Sequence, residues 1–153
     1  MLRTVAVALL SALVVACSGG ESTPEERVRA VLAELEAAAE ARDVGMLKPH
    51  ISDSYKDESG NDRRALLGLA TGHFMRNKSV YLLVRVNDVV LAEPGQAQVD
   101  AFVALAGQPI RDASALPELR ADLYRFDLRL RDEDGDWRIT AADWRPATLA
   151  DFQ

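Results

Sequence analysis

Tyr124-Arg125-Phe126-Asp127-Leu128-Arg129-Leu130-Arg131 alternates apolar with charged side chains, and Asp134-Gly135 then turns the chain into Trp137-Arg138-Ile139. A period of two sends successive side chains to opposite faces, so this is a half-buried strand, and Asp-Gly is a strong hairpin signal. The same reading extends upstream. Val80 to Leu91 is a long β-branched run that ends at the Pro94-Gly95 turn. Val99, Ala101, Val103 and Leu105 then alternate with Gln98, Asp100 and Ala104. Val86 and Val89 share a face only if a bulge falls near Asn87-Asp88. A proline-containing connection runs from Gly107 to Arg120, and the last strand reaches Trp144. The C-terminal half is therefore a meander of long antiparallel strands.

The N-terminal half changes period. Thr23 is an N-cap, Pro24 fits the first helical position, and Glu26 completes a Thr-x-x-Glu capping box. Val28, Val31, Leu32, Leu35 and Ala39 form one stripe, and this helix ends near Arg42. Asp43 caps a short second helix through Met46, Leu47 and His50. A third helix spans Arg63 to Arg76, with Leu66, Leu69, Ala70, His73 and Phe74 on its apolar side. Gly68 and Gly72 each weaken it by about 1 kcal/mol relative to Ala, and close approach of helix to sheet is the expected use of them.

Helices followed by a meander of antiparallel strands make an α+β domain over residues 24–153. With the capped first helix, Met46-Leu47, Ser52-Asp53-Ser54-Tyr55 and the closing Asp134-Gly135-Asp136-Trp137-Arg138-Ile139, the domain resembles the NTF2-like (SnoaL-like, cystatin-type) fold. The resemblance implies a sheet wrapped into a cone with a pocket at its open end.

The first residues read as an address. Arg3 supplies a positive charge, and Val5 to Val15 is apolar except for Ser11. That run is shorter than the roughly 20 apolar residues needed to span a bilayer, as in a signal peptide. It ends in Val14-Val15-Ala16-Cys17, which resembles the bacterial lipobox: an aliphatic residue, a small residue, then the cysteine that takes the lipid. The resemblance implies a signal peptide over 1–16, acylation of Cys17, and a lipidated tether over 17–23. Ser18 stands where Asp would favour the inner membrane, so the expected address is the outer membrane, facing the periplasm. Several acyl chains anchor stably where one binds reversibly.

Composition narrows the partners. A formal charge of −6 over 153 residues disfavours phosphate backbones, so nucleic acid is not expected. Cys17 is the only cysteine and His50 and His73 the only histidines, which leaves no zinc set, and nothing in the sequence points to a cofactor. The run Asp132 to Asp136 lacks the glycine that an EF-hand loop needs at its sixth place, where Trp137 stands. Enzymes of the resembled superfamily, isomerases and dehydratases among them, place Asp, His and Tyr inside the cone. The candidates here are Asp53, Tyr55, His73, Asp100 and Tyr124. The first helix carries no tyrosine, so the isomerase pattern is incomplete, and a dehydratase would need paired histidines in the pocket. Each candidate also has a plainer reading. Tyr55 packs its ring under the sheet edge with its hydroxyl in water, His73 is a core histidine, Asp100 points outward, and Tyr124, Trp137 and Trp144 pack the cone. The Arg125-to-Arg131 ladder is cross-strand ion pairing or a homodimer or partner face. The leading expectation is a non-catalytic binding or scaffolding module for a small hydrophobic ligand or envelope protein, with Tyr55, His73, Tyr124 and Trp144 as contacts. A small-molecule isomerase or dehydratase using Asp53, Tyr55 and His73 is the alternative.

Overall fold

In the computed structural model, which describes residues 21–153, the chain enters α1 (Pro24–Glu40) at the expected capping box. The Glu26 N–H donates to Thr23 Oγ1 at 3.2 Å, and Glu26 Oε2 accepts from the Thr23 N–H at 2.7 Å. The signal segment 1–16 and Cys17 lie outside the described residues. Arg42, in the left-handed region at φ 54°, breaks the helix. Asp43 then accepts from the N–H groups of Gly45 and Met46, opening α2 (Val44–Leu47) and a 3₁₀ turn at Lys48–His50. Arg42 Nη1 reaches across to the carbonyls of Phe74 and Asn77, satisfying groups at the end of α3 (Arg63–Arg76) that the helix leaves unpaired.

α3 keeps its expected bounds but not its expected face. Phe74 is buried and Leu66 and Leu67 pack on the core, whereas Leu69 is 52% exposed. At about 100° per residue, Leu66, Leu67, Ala70 and Phe74 define one stripe and Leu69 falls on its flank. The two glycines do not serve close approach either. A Cβ on Gly68 would meet nothing, and one on Gly72 would meet the Arg76 guanidinium of the same helix.

The four strands, β1 (Tyr81–Glu93), β2 (Gln96–Ala106), β3 (Asp122–Glu133) and β4 (Asp136–Pro146), pair in sequence order, each antiparallel to the next. The bulge falls where the apolar phase slips, between Val86 and Asp88. Gly95 and Asp134-Gly135 hold positive φ at the two hairpin turns.

The face under the helices carries the main core: Val28 and Leu32 of α1 against Val99, Ala101, Leu128 and Leu130. The opposite face carries a smaller cluster that the alternation does not announce. Phe102 and Ala104 pack there with Leu116 and Phe152. Ala104 is therefore buried, not an outward partner of Val103, because the Gly107–Arg120 connection folds into a 3₁₀ turn and a short helix, α4 (Leu116–Leu119), that covers this face.

Both open edges are covered over part of their length. At β1 the Leu82 N–H donates to Glu40 Oε1 at 2.9 Å, and the Val84 N–H faces the Glu36 carboxylate. At β4 the Ser52 N–H donates to the Ile139 carbonyl at 2.9 Å and the Lys56 N–H to Thr140 at 3.0 Å. Exposed strand edges template unwanted pairing, and these contacts block it along the stretches they cover. Among the described residues no helix is long and apolar enough to cross a membrane.

Candidate functional site

The strand order places both hairpin turns at one end of the sheet, and the start of β3 and the finish of β4 at the other. At that second end, Phe126 and Trp144 are direct cross-strand partners on the helix face. Their rings stack at 5.9 Å and 27°, and Tyr124 meets Phe126 edge-on at 6.4 Å. Offset or edge-to-face contact suits aromatic quadrupoles, so the three rings form a rigid strip. Trp144 is nevertheless 42% exposed. The expectation that it packs away inside the cone is corrected: one side rests on Phe126 and the rest of the indole is open. Trp137 does pack, at 4% exposure.

Tyr55 is buried and its hydroxyl is not in water. It donates to Asp57 Oδ2 at 3.2 Å and to the Ala142 carbonyl at 3.3 Å. Burial, then the Asp57 charge, push the phenol well above its usual range. Asp57 moves the other way. Burial opposes its ionisation, but the Asn61 side chain and backbone N–H groups, each at 2.8 Å, and the Tyr55 hydroxyl outweigh it and hold the carboxyl low. A high phenol and a low carboxylate make a locked structural pair, not a proton shuttle near neutrality.

The other candidates scatter. Asp53 stands at the surface with its side chain 86% exposed, paired with Arg63. His73 is half-buried on α3, edge-on to Phe74 at 6.3 Å, with Asn77 Nδ2 3.4 Å from its ring nitrogens. Asp100 faces outward, as its phase predicts, and takes Arg125 Nε at 2.6 Å and Nη2 at 3.0 Å. Among the described residues no hydrogen bond or ion pair joins Asp53, Tyr55 and His73 to one another. Nor do three or more His, Cys, Asp or Glu side chains group to hold a metal there.

Sequence reasoning missed three polar features. Asp57 is one. The second is Ser52, which is buried and donates to Glu133 Oε1 at 2.6 Å, joining the β4-edge segment to the last hairpin. The third is the cleft between α1 and that hairpin, where Arg27 and Arg138 meet Trp137. No local pattern marks them, because each depends on segments far apart in sequence. Ser52 belongs to the Ser52-Asp53-Ser54-Tyr55 motif that carries the fold resemblance, but nothing in the motif marks Ser52, or Asp57 just after it, as buried.

No protein-family model and no curated protein matches this sequence. Solved structures do match in shape. A putative scytalone dehydratase from Novosphingobium aromaticivorans superposes with a TM-score of 0.67 at 10% identity, over 81% of this chain and 84% of that one. A cystatin-like-fold domain of unknown function from Nostoc punctiforme gives 0.62 at 17% identity, over 83% and 80%. Bd1075 of Bdellovibrio bacteriovorus gives 0.64 at 9% identity over 79% of this chain, which spans only 40% of that protein. At such identities the likeness concerns the fold, and the fold is the NTF2-like, cystatin-like α+β arrangement of helices on a curved, unclosed sheet.

Proposed function

We propose that this chain is a lipoprotein of the bacterial envelope, anchored through Cys17, and that its domain is a non-catalytic module binding an apolar ligand or partner group. The ligand docks on the Tyr124–Phe126–Trp144 strip at the end of the sheet away from the hairpin turns. The observation that carries this reading is Trp144, pre-stacked on Phe126 yet nearly half exposed. A large apolar ring held rigid and wet gains free energy from any apolar group that covers it, at low entropic cost. Further support comes from the polar candidates, which are locked in a buried pair, paired in solvent, or set apart on α3. General acid–base chemistry needs groups within hydrogen-bond reach of one reacting atom.

The test has two arms. Mass spectrometry of chain expressed in a bacterium should show an acylated N-terminal cysteine at position 17, and Cys17→Ser should release the protein from the membrane. Mature protein still starting at Met1 and soluble would overturn the anchor. In the second arm, Trp144→Ala should weaken binding of a neutral apolar dye about tenfold, while Tyr55→Phe and His73→Gln leave complementation of a deletion strain nearly intact. Loss of about 10²-fold or more in a stably folded His73→Gln protein would favour an enzyme instead.

A further inference from the structure

At the hairpin end of the sheet, a cleft of about 310 Å³ opens between α1 and the β3–β4 turn. Its wall is rich in unused donors. Arg27 Nε, Trp137 Nε1 and Arg138 Nε are all buried without a hydrogen-bond partner among the described residues, and all three residues line this cleft. Buried unpaired N–H groups are rare in folded proteins, and two arginines carrying them on one cleft point to a missing acceptor, while Trp137 stands between this cleft and a second one beside Leu91 to Gly95.

The arginine heads are only loosely held. Arg27 Nη1 lies 3.5 Å from Asp132 Oδ2, and Arg138 lies 3.4 Å from Glu133 and 3.3 Å from Asp136. His50 Nε2, also in the wall, is 3.4 Å from Glu34. Well-formed charge-assisted bonds are about 2.7–2.9 Å, so an incoming carboxylate displaces little. Both arginine side chains remain about a third exposed, at 37% and 33%, within reach of the cleft by rotation.

The strand edge adds a second kind of contact. The Ile139 carbonyl points away from β3, toward the Ser52 N–H. Alternation along β4 sends the N–H and C=O of Trp137 to the same side, two residues nearer the turn. The Asp132 N–H, opposite Trp137, likewise turns away from β4, to the Gly95 carbonyl. The edge segment has by then left β4 through the 3₁₀ turn at Lys48–His50, so no described residue pairs with the Trp137 backbone.

We propose that this cleft binds the C-terminal carboxylate of a short extended peptide, with Arg27 and Arg138 on the carboxylate and the peptide backbone paired to β4 at Trp137. Strand addition of this kind draws affinity from main-chain hydrogen bonds and direction from the captured carboxylate. Ala30, Val31 and Pro49 give the last side chain an apolar wall. Asp132, Glu133 and Asp136 against the two arginines, with Glu34 on the rim, leave less room for a phosphate dianion than for a single carboxylate. The site lies at the opposite end of the sheet from the aromatic strip, so it stands or falls independently of it.

The probe is N-acetyl-Ala-Val-Val titrated calorimetrically into the full-length chain, beside the same peptide as its C-terminal amide, sodium acetate and inorganic phosphate. The free acid should bind at least about tenfold more tightly than the amide, acetate or phosphate, as loss of a charge-assisted or main-chain contact implies. Arg27→Gln and Arg138→Gln should each weaken it by about tenfold or more. Ala30→Glu, an exposed helix position that leaves the core untouched, should do the same, and Arg64→Gln on α3 should change nothing. Equal binding of the amide, stronger binding of phosphate, acetate as tight as peptide, or indifference to Ala30→Glu would each overturn the proposal. So would the absence of any heat up to about 10 mM peptide.

Discussion

The two faces of the sheet are held by different physics. The helix face is held mainly by apolar packing: Val28, Val99 and Ala101 are almost wholly buried, and the Arg27–Asp132 ion pair and the open Trp144 lie only at its two ends. The outer face mixes ions with a small apolar cluster. Arg125 takes Asp100 in a two-point contact, Arg145 Nη1 lies 2.5 Å from Asp127, and Arg129 lies 3.3 Å from Asp143. Arg125 also stacks over the Phe102 ring at 5.5 Å, joining the ladder to the Leu116–Phe152 cluster. Burial of apolar area supplies stability, whereas exposed ion pairs mostly set register and solubility. Truncation should therefore cost far more on the helix face than in the ladder.

The largest effect is expected there. Leu32→Ala removes a buried side chain from the contact of α1 with the sheet and should cost about 2–5 kcal/mol, measured by urea unfolding. Leu116→Ala, although Leu116 is the more fully buried of the two, sits in a smaller cluster and should fall near about 2 kcal/mol, the low end of that range. If the Leu116 variant proved the more damaging, the second cluster would be a core in its own right.

This contrast also explains what was legible in the sequence. α1, α3 and the four strands follow from one-sided periodicity, and the bulge follows from a phase slip at Asn87-Asp88. Phe102 to Ala106 is apolar at every position, with Phe102, Ala104 and Ala106 buried and Val103 and Leu105 partly so, and alternation carries no signal there. Its outer cover, α4 and the turn ending at Phe152, is short and lacks a stripe of its own. The aromatic strip was legible residue by residue, but the exposure of Trp144 was not. The cleft was invisible because α1 and the last hairpin are about a hundred residues apart and meet only through the tertiary fold.

The ladder should respond to acid more than to truncation. Burial alone would raise the Asp100 carboxyl, but hydrogen bonds from Arg125 and Asn87 outweigh it and hold it below 3.8, its ordinary value. A carboxyl depressed in the folded state adds stability that is present above its unfolded pKa and is lost as pH falls through the folded one. Asp100→Asn should therefore cost less than about 1–2 kcal/mol at pH 7, and the variant should lose less of its remaining stability than the parent on acidification below about pH 4. Parallel acid limbs for the two proteins would show that Asp100 is not the titrating group.

The smallest effect should have the opposite sign, and it lies at the β1 edge that the helix face shares with solvent. Burial, then the like charge of Glu40 one turn away, raise the Glu36 carboxyl, while the bond from the Val84 N–H lowers it only in part. A raised carboxyl is cheaper to keep neutral in the fold, so its ionisation takes stability away as pH climbs from its unfolded value through its folded one. Glu36→Gln keeps an acceptor for the Val84 N–H and removes the repulsion. At pH 7 it should stabilise the domain by a few tenths of a kcal/mol, about what an i,i+4 like-charge pair costs on a helix. Near pH 4, where Glu36 is largely protonated in the parent, the gain should vanish. Glu40→Gln should share the gain from relieved repulsion, and a loss of stability in both variants at pH 7 would mean that the negative charge itself, and not merely an acceptor oxygen, holds the edge N–H groups of Leu82 and Val84.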